Sequence, residues 1–170
     1  GLCVADLIEI NGEAVHQNTG KTPITTVAAI RLMLDYAANV DEAIALLQQY
    51  DMHSSMNVAH HFALCDTTGK YAVVEYVDNQ LVVTESIACT NHRLTCSTQP
   101  TDTTLQPAIS NSHQRLEQLL AAPNSKSLLN SMQDVAFDGW TRWSVVFNPN
   151  HKQATYYFNA DFSTPYTIEL

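Results

Sequence analysis

The pattern of hydrophobic and polar positions changes its period several times along the chain. The first stretch, LCVADLIEI, is strand-like, and Asn11-Gly12 follows it as a strong tight-turn signal with apolar residues on both sides. We therefore predict a β-hairpin over about residues 2–16. Because the chain opens directly on this strand, we also expect residues to be missing upstream of it.

Beyond Pro23 the apolar period becomes helical and predicts a helix over about residues 25–38. The apolar positions at helical spacing are Val27, Ile30, Leu34 and Ala38. Asn39 can then cap a second helix, and Glu42 stands three residues on, as in a capping box. This second helix should run to about Tyr50. Two helices joined so closely should form an antiparallel or sharply angled pair.

Residues 57–66, 70–77 and 80–90 have the character of strands, and the breaks between them, DTTGK and DNQ, are short. They should form an antiparallel meander. In the first of these strands one face would carry His60, Phe62 and Leu64, and the other His61, Ala63 and Cys65. Neither face is plainly polar, which indicates a strand covered on both sides.

A polar, turn-rich stretch over residues 97–112 is too irregular for a helix or strand and long enough for a functional loop. Two helices should follow, one around Arg115 to Leu120 and one over about residues 125–136, and then two strands, TRWSVVFNP and QATYYFN, that turn around Asn150. This order of strands and helices predicts an α+β sandwich of two sheets covered by helices, built as a single domain over residues 1–170.

Composition excludes several classes of partner. The net charge is −9 with only eight Lys and Arg, so we expect no nucleic acid partner and no attraction to acidic membrane surfaces. No apolar run approaches the roughly 20 residues of a spanning helix, and no cationic region precedes the first strand. We therefore expect no membrane association and a cytoplasmic location. A chain lacking part of its sheets would expose apolar edges, which favours a homo-oligomer.

The cysteines and histidines do not indicate a metal site. Cys3, Cys65, Cys89 and Cys96 form no CxxC pair, and we expect them to be reduced and buried. His60 and His61 are adjacent on a strand, so their side chains point to opposite faces and cannot bind one metal ion. We interpret them, together with His53, as core or loop residues, and we expect neither a metal nor a cofactor.

Three segments resemble known enzymes: TTVAAIRLMLDYAANVDEAIALLQQYDMHSS, HHFALCDTTGKYAVVEY and TNHRLT. In this order they look like the central and C-terminal part of the choloylglycine hydrolase and acyl-CoA:6-aminopenicillanate acyltransferase group, and the likeness continues through Arg115 to QATYYFN. The resemblance implies a four-layer αββα sandwich of the N-terminal-nucleophile hydrolase type, lacking its N-terminal strands. It also implies hydrolysis or acyl transfer at linear amide C–N bonds of a small-molecule acyl-amide substrate.

The resemblance also implies roles for two residues. In these enzymes a cysteine at the mature N-terminus attacks the amide and its own α-amine is the base. Asn91 matches the position whose carboxamide donates to the oxyanion, and Arg115 matches an arginine that holds the polar network near the nucleophile. Without the resemblance, Arg115 reads as a helix-surface residue paired with Glu117 or with nothing.

The chain also departs from this group. The group's nucleophile and its early Asp lie upstream of a segment like GLCVADL, so we expect these 170 residues to be catalytically incomplete. Cys3 is no substitute, because Gly1 and Leu2 precede it and its nitrogen is a peptide amide. Ile8 stands where bile-salt hydrolases carry Asn and penicillin V acylases carry Tyr, so neither substrate is assigned.

An alternative from another class is a noncatalytic ligand-binding or sensor domain. It would have the same α+β sandwich and an apolar pocket, with Asn91 and Arg115 serving only as polar anchors. A cysteine exposed by processing upstream of Gly1 would decide for the enzyme.

Overall fold

The computed structural model describes residues 1–10, 12–95, 111–121, 128–137 and 139–170. The chain divides into two compact units, Gly1–Pro100 and Thr101–Leu170, and each is described by itself. The elements of the first unit are β1 Leu2–Glu9, β2 Thr22–Thr25, α1 Thr26–Tyr36, α2 Val40–Leu47, β3 Tyr50–His53, β4 Ala59–Asp66, β5 Tyr71–Val77 and β6 Gln80–Thr84. Those of the second unit are α3 Ser112–Ala121, α4 Leu128–Val135, β7 Trp143–Asn148, β8 Gln153–Phe158 and β9 Asp161–Glu169.

An antiparallel sheet in the order β1-β4-β5-β6 forms the centre of the first unit. The predicted meander of β4, β5 and β6 is confirmed. The pairing of β1 with β4 runs from Leu2 opposite Asp66 to Glu9 opposite Ala59. This long-range pairing brings β1 beside residues 50 to 64 positions later in the chain.

The predicted hairpin over residues 2–16 is wrong. The strand β1 pairs with β4, and within residues 12–16 the described chain forms only an isolated bridge between His16 and His53. Gly12 packs tightly against the side chain of Glu9, and Val15 is buried in the core. The chain therefore leaves the sheet after β1 because burial of Val15 and pairing with β4 outweigh the local turn signal. Asn11 itself lies outside the described residues.

Both predicted helices of the first unit are present, and their caps explain where they begin. The Thr25 hydroxyl accepts a hydrogen bond from the Ala28 amide at the start of α1. At the start of α2 the Asn39 side chain accepts from the Glu42 amide at 3.0 Å, and the Glu42 carboxylate accepts from the Asn39 side chain and the Ala38 amide, both at 2.8 Å. Asn39 and Glu42 thus satisfy each other and the first turn of the helix.

The second helix ends earlier than predicted, at Leu47 rather than about Tyr50. Residues 50–53 form β3, which pairs in parallel with β2, and neither short strand was predicted. Each has only four residues, too few to show a period of two, and their pairing depends on the helices between them.

Helices α1 and α2 pack on one face of the sheet. The core cluster there consists of Val15, Ala29, Met33, Val40, Ala43, Leu47, Met52, Phe62, Leu64, Ala72, Val74 and Tyr76. The opposite face of the sheet carries Glu9, His61 and Glu75, which are all buried. The prediction that β4 is covered on both faces is therefore confirmed for most of the strand, with Cys65 as an exposed exception.

The strand β6 ends at Thr84, six residues before the predicted end at position 90. The Ser86 hydroxyl bonds to the backbone of Ala88, accepting from its amide at 3.4 Å and donating to its carbonyl at 2.7 Å. Such local side-chain bonds compete with a sheet ladder. Asn91 consequently does not stand at a strand end, as the sequence had indicated, but in a separate segment beyond it.

In the second unit, β7, β8 and β9 form an antiparallel sheet in that order, and α3 and α4 contact each other. The two predicted closing strands are confirmed, whereas β9, which contains Pro165, was not predicted. Proline is tolerated in a strand at a sheet edge, which is where β9 lies among the described strands. Most of the predicted loop over residues 97–112, and residues 125–127 of the predicted helix, lie outside the described residues.

The α+β class is confirmed by these sheets and helices. Among the residues that the structure describes, no helix has both the length and the apolar character required to cross a bilayer.

Candidate functional site

Asn91 lies against the end of β1. Its carbonyl accepts a hydrogen bond from the Ile10 amide at 2.8 Å, and its side-chain nitrogen donates to the Ile8 carbonyl at 3.1 Å. Backbone and side chain of one residue are thus attached to the same strand at two points. This double attachment fixes the orientation of the carboxamide, and the residue remains partly exposed.

A buried pair, His61 and Glu75, attaches the residues on both sides of Asn91. The His61 Nε2 lies 2.7 Å from the Thr90 carbonyl oxygen, and its Nδ1 lies 3.3 Å from Glu75 Oε1. The Leu94 amide donates to the same Glu75 oxygen at 2.6 Å. Both side chains of the pair are fully buried. We refer to residues 90–94 as the Asn91 segment.

The hydrogen-bond partners of His61 show which ring nitrogen must carry a hydrogen. A carbonyl oxygen can only accept, so Nε2 carries a hydrogen toward Thr90, while Nδ1 faces the Glu75 carboxylate. Burial opposes a charge on His61, but the Cys89 and Glu75 side chains outweigh it and hold the pKa of His61 above its usual value. Burial likewise raises the pKa of Glu75, yet His61 and the Leu94 amide lower it overall. Both shifts favour the charged forms of the two side chains.

A second buried ion pair lies beside the first. Arg93 Nε donates to Glu9 Oε1 at 2.6 Å and its Nη2 to the Tyr76 carbonyl at 3.4 Å. The Glu9 side chain is fully buried, and burial raises the pKa of Glu9 although Arg93 acts in the opposite direction. Two acidic side chains, Glu9 and Glu75, thus face two basic ones, Arg93 and His61.

Glu9, His61 and Glu75 each offer one ligand atom for a cation, and these atoms lie within 4.8 Å of one another. The Oε2 atoms of Glu9 and Glu75 are buried without a hydrogen-bond partner among the described residues. However, Nδ1 of His61 faces Glu75 and Nε2 faces Thr90, while Arg93 supplies the positive charge for Glu9. Because both ring nitrogens and one carboxylate are already engaged, the donor set fits a hydrogen-bond network better than a metal centre.

The sequence did not reveal this network. We had interpreted His61 as a core or loop histidine, and Glu75 stood alone among apolar residues. The alternation of side chains places Glu9, His61 and Glu75 on one face of three neighbouring strands, but only after the pairing of β1 with β4 is known. The only available signal was a charged residue in the middle of an apolar strand, KYAVVEYV.

His60, on the other face of β4, pairs with Asp6 of β1 through its Nδ1 at 3.0 Å. The prediction that His60 and His61 point to opposite faces is confirmed, because each contacts a different carboxylate. His53 lies at the end of β3 and contacts the ring of His16.

Arg115 lies on α3 in the second unit. Its Nε donates to the Asn111 side-chain oxygen at 2.9 Å, one helical turn earlier, and this contact orients the guanidinium. The side chain is partly buried, and burial lowers the pKa of Arg115 from its ordinary value. Asn91 belongs to the first unit of the chain and Arg115 to the second.

Cys3 and Cys65 stand directly opposite each other on β1 and β4 as free thiols. A hydrogen bond with Cys65 and burial raise the pKa of Cys3, whereas the same hydrogen bond lowers the pKa of Cys65 to about 7. The expectation of buried cysteines is wrong for Cys65, which is exposed at the end of its strand, and Cys3 and Cys89 are partly buried. Cys96 lies outside the described residues.

Comparison with known proteins places the chain in a family. The family profile described as acyl-coenzyme A:6-aminopenicillanic acid acyl-transferase matches residues 9–161. Two variants of conjugated bile acid hydrolase from Clostridium perfringens align with TM-scores of 0.71 and 0.70 at 17% and 16% identity, each over 99% of this chain and 70% of that chain. Penicillin V acylase from Agrobacterium tumefaciens aligns with a TM-score of 0.67 at 21% identity, over 98% of this chain and 62% of that chain.

Comparison with curated protein sequences gives no match. At these low identities the solved structures show a shared fold, and the family profile, which spans most of the chain, shows the relationship. The chain belongs to the acyl-coenzyme A:6-aminopenicillanic acid acyl-transferase family, and it shares its fold with the conjugated bile acid hydrolase and penicillin V acylase structures.

Proposed function

We propose that this chain is part of an enzyme that cleaves or forms a linear amide C–N bond, with Asn91 donating a hydrogen bond to the oxyanion of the tetrahedral intermediate. Membership of the family supports the reaction class. The observation that carries the role of Asn91 is its double attachment at the end of β1, to the Ile8 carbonyl within the strand and to the Ile10 amide just beyond it.

The geometry of Asn91 suits an oxyanion donor. A carboxamide nitrogen carries two hydrogens, so the bond to the Ile8 carbonyl fixes the direction of the second one. A donor that is held in place before the reaction requires no reorganisation when negative charge develops. Asn91 also lies beside Ile8. The hydrolases that this chain resembles carry Asn or Tyr at the position of Ile8. Asn91 would therefore supply the polar side chain that Ile8 cannot.

The proposed reaction begins when a cysteine thiolate attacks the amide carbonyl carbon. The thiol has by then given its proton to the α-amine of the same cysteine, whose pKa is about 8, and the ammonium group so formed passes that proton to the departing amine. The C–N bond breaks and a thioester remains, which water or a second amine then cleaves. Cys3 cannot play this part, because its nitrogen is a peptide amide and its thiol pKa is raised. The proposal therefore places the nucleophile outside these 170 residues.

Arg115 is proposed to order polar groups around its own guanidinium, the role that its place in the resembling motifs implies. Its guanidinium is oriented by Asn111 and is partly buried. An arginine stays protonated even when burial lowers its pKa, so it can hold several acceptors at once. The proposal for Arg115 stands apart from that for Asn91 and is tested by its own variant, Arg115→Lys, which keeps the charge but loses the planar fork.

The test of Asn91 uses the full-length protein and three probes: a glycine-conjugated bile acid, penicillin V, and 6-aminopenicillanic acid with an acyl-coenzyme A. For whichever probe is turned over, Asn91→Ala should lower kcat by roughly a hundredfold or more with a folded protein. Asn150→Ala, in an exposed turn between β7 and β8, is the matched control and should leave kcat unchanged. Near-normal turnover by Asn91→Ala would remove the oxyanion role.

The nucleophile is located by trapping the acyl-enzyme with acid and mapping its peptides by mass spectrometry. The acyl group should be on a cysteine at the mature N-terminus and on no peptide from residues 1–170. An acyl group on Cys3, Cys65 or Cys89 would contradict the mechanism. Saturable binding of a probe without any turnover or adduct would instead favour the ligand-binding domain.

A further inference from the structure

We propose that His61 is a positioning residue for Asn91, holding the backbone of the Asn91 segment through its Nε2–H donated to the Thr90 carbonyl. This inference rests on the proposed function, because it assigns His61 a part in the reaction through Asn91. His61 itself would not contact the substrate.

The first step of the argument is the peptide unit that His61 contacts. The Thr90 carbonyl belongs to the peptide group that also contains the Asn91 nitrogen, so fixing its oxygen restricts rotation immediately before Asn91. The contact is short, 2.7 Å, and fully buried on the histidine side. Nε2 also lies 3.3 Å from the Cys89 sulfur, a longer contact to a weaker acceptor, so the carbonyl is its main partner. The Ile10 amide holds the Asn91 carbonyl at 2.8 Å on the other side of the same residue. The backbone of Asn91 is therefore held on both sides.

The second step is that His61 is itself held. Its ring is oriented by Glu75, whose Oε1 also accepts from the Leu94 amide at 2.6 Å. His61 and Glu75 project from β4 and β5, the two inner strands of the sheet, which hold their side chains more rigidly than a loop could. The beginning and end of the Asn91 segment are thus attached to one rigid pair of strands.

The third step is the effect on chemistry. A donor displaced by about 1 Å can lose roughly a hundredfold in rate, because oxyanion stabilisation depends steeply on distance. A residue that fixes the backbone before Asn91 therefore affects kcat without touching the substrate, and it has little reason to affect KM.

The test compares two substitutions of His61, each of which can keep one of its two hydrogen bonds: the bond to the Thr90 carbonyl or the bond to Glu75. The side-chain amide of glutamine can replace Nε2–H and reach the Thr90 carbonyl, while that of asparagine can replace only Nδ1–H toward Glu75. His61→Gln should retain kcat within about threefold, and His61→Asn should lower kcat roughly tenfold with KM unchanged. If the two variants lose kcat equally at equal thermal stability, positioning through Thr90 is overturned.

A double-mutant cycle asks whether His61 acts through Asn91. In the Asn91→Ala background, His61→Asn should cause no further loss of kcat, because the group that it positions is gone. His60→Asn is the matched control: His60 lies on the same strand and is buried with a carboxylate partner, Asp6, but on the opposite face. Its effect should be the same in both backgrounds. Additive effects of His61→Asn and Asn91→Ala would overturn the proposal.

Amide hydrogen exchange tests positioning without any turnover. The Ile10 amide is bonded to the Asn91 carbonyl, so its exchange should be faster in His61→Asn than in His61→Gln. Equal exchange rates would overturn the proposal even if activity falls. If Asn91→Ala keeps full turnover, the proposed function fails, and the exchange experiment still shows whether His61 holds the segment.

Discussion

Gly12 lies so close to Glu9 that a Cβ atom on residue 12 would overlap Glu9 Oε1 and would stand 2.7 Å from the Ala59 Cβ. Neither neighbour can give way easily, because the Glu9 carboxylate is buried and bonded to Arg93, and Ala59 is part of β4. The close approach explains why glycine occupies this position, which the sequence had indicated only as a turn.

Gly12→Ala should therefore destabilise the protein by about 1–3 kcal/mol, the usual cost of overpacking a buried site. The measurement is urea unfolding at neutral pH. The cost should be smaller in a Glu9→Ala background, where the nearest atoms have been removed. An unchanged free energy of unfolding for Gly12→Ala would contradict the close contact.

Arg93→Met should be destabilising by about 3–5 kcal/mol, because it leaves the Glu9 carboxylate buried without its cation. Glu9 already has a raised pKa through burial, and loss of Arg93 raises the pKa further. When the pKa of a carboxyl group is higher in the folded than in the unfolded protein, the free energy of unfolding falls as the pH rises, because the group must be charged in the folded protein at high pH. The variant should thus lose more stability at pH 8 than at pH 5 relative to the wild type. The double variant Glu9→Gln with Arg93→Met should recover part of the loss, and equal losses at both pH values would argue against a buried carboxylate.

Asp66 should make a pH-dependent contribution to stability. Its carboxylate accepts from the Thr68 hydroxyl at 2.5 Å, the Val40 amide at 2.9 Å and the Thr68 amide at 2.8 Å, and these bonds lower its pKa from 3.8 to about 2. Because the folded pKa is depressed, the contribution is present above the unfolded pKa and is lost as the pH falls from about 4 to about 2. Wild type should exceed Asp66→Asn in unfolding free energy at pH 7, and the difference should shrink across this window. A difference that stays constant with pH would refute this assignment.

Cys65 should be the first of the described thiols to be alkylated. It is exposed, and the hydrogen bond from Cys3 lowers its pKa to about 7, which raises its thiolate fraction near neutrality. Iodoacetamide labelling followed by peptide mapping should show a rate for Cys65 that rises with a midpoint near pH 7. Cys3→Ser weakens the donor and should move that midpoint upward. Faster labelling of Cys3 than of Cys65 would contradict the arrangement.

The helices α1 and α2 and the β4-β5-β6 meander could be predicted because their signals are local. Asn39 and Glu42 are three residues apart and need no other part of the chain to form a cap. The breaks between the strands of the meander are so short that adjacent pairing was the simplest outcome. The predicted end of β6 was wrong, because Ser86 forms local bonds that a strand pattern does not reveal.

The candidate site was predicted only in part. Asn91 and Arg115 were found through the resemblance of short motifs and their order, and their roles remain proposals. His61, Glu75 and Glu9 were not found, since nothing in the sequence shows that β1 lies beside β4 or that Arg93 reaches Glu9.

What the amino-acid sequence determined by itself is the set of elements whose hydrogen bonds close within a few residues, together with the family to which the ordered motifs belong. Tertiary structure alone decided the partner of β1, and with it the buried network beneath Asn91. The physical reason is that a strand forms its backbone hydrogen bonds with a neighbouring strand, and burial of side chains selects that neighbour at any distance along the chain. The strand β1 therefore pairs with β4, which begins 50 residues after Glu9, and not with the residues of the predicted hairpin.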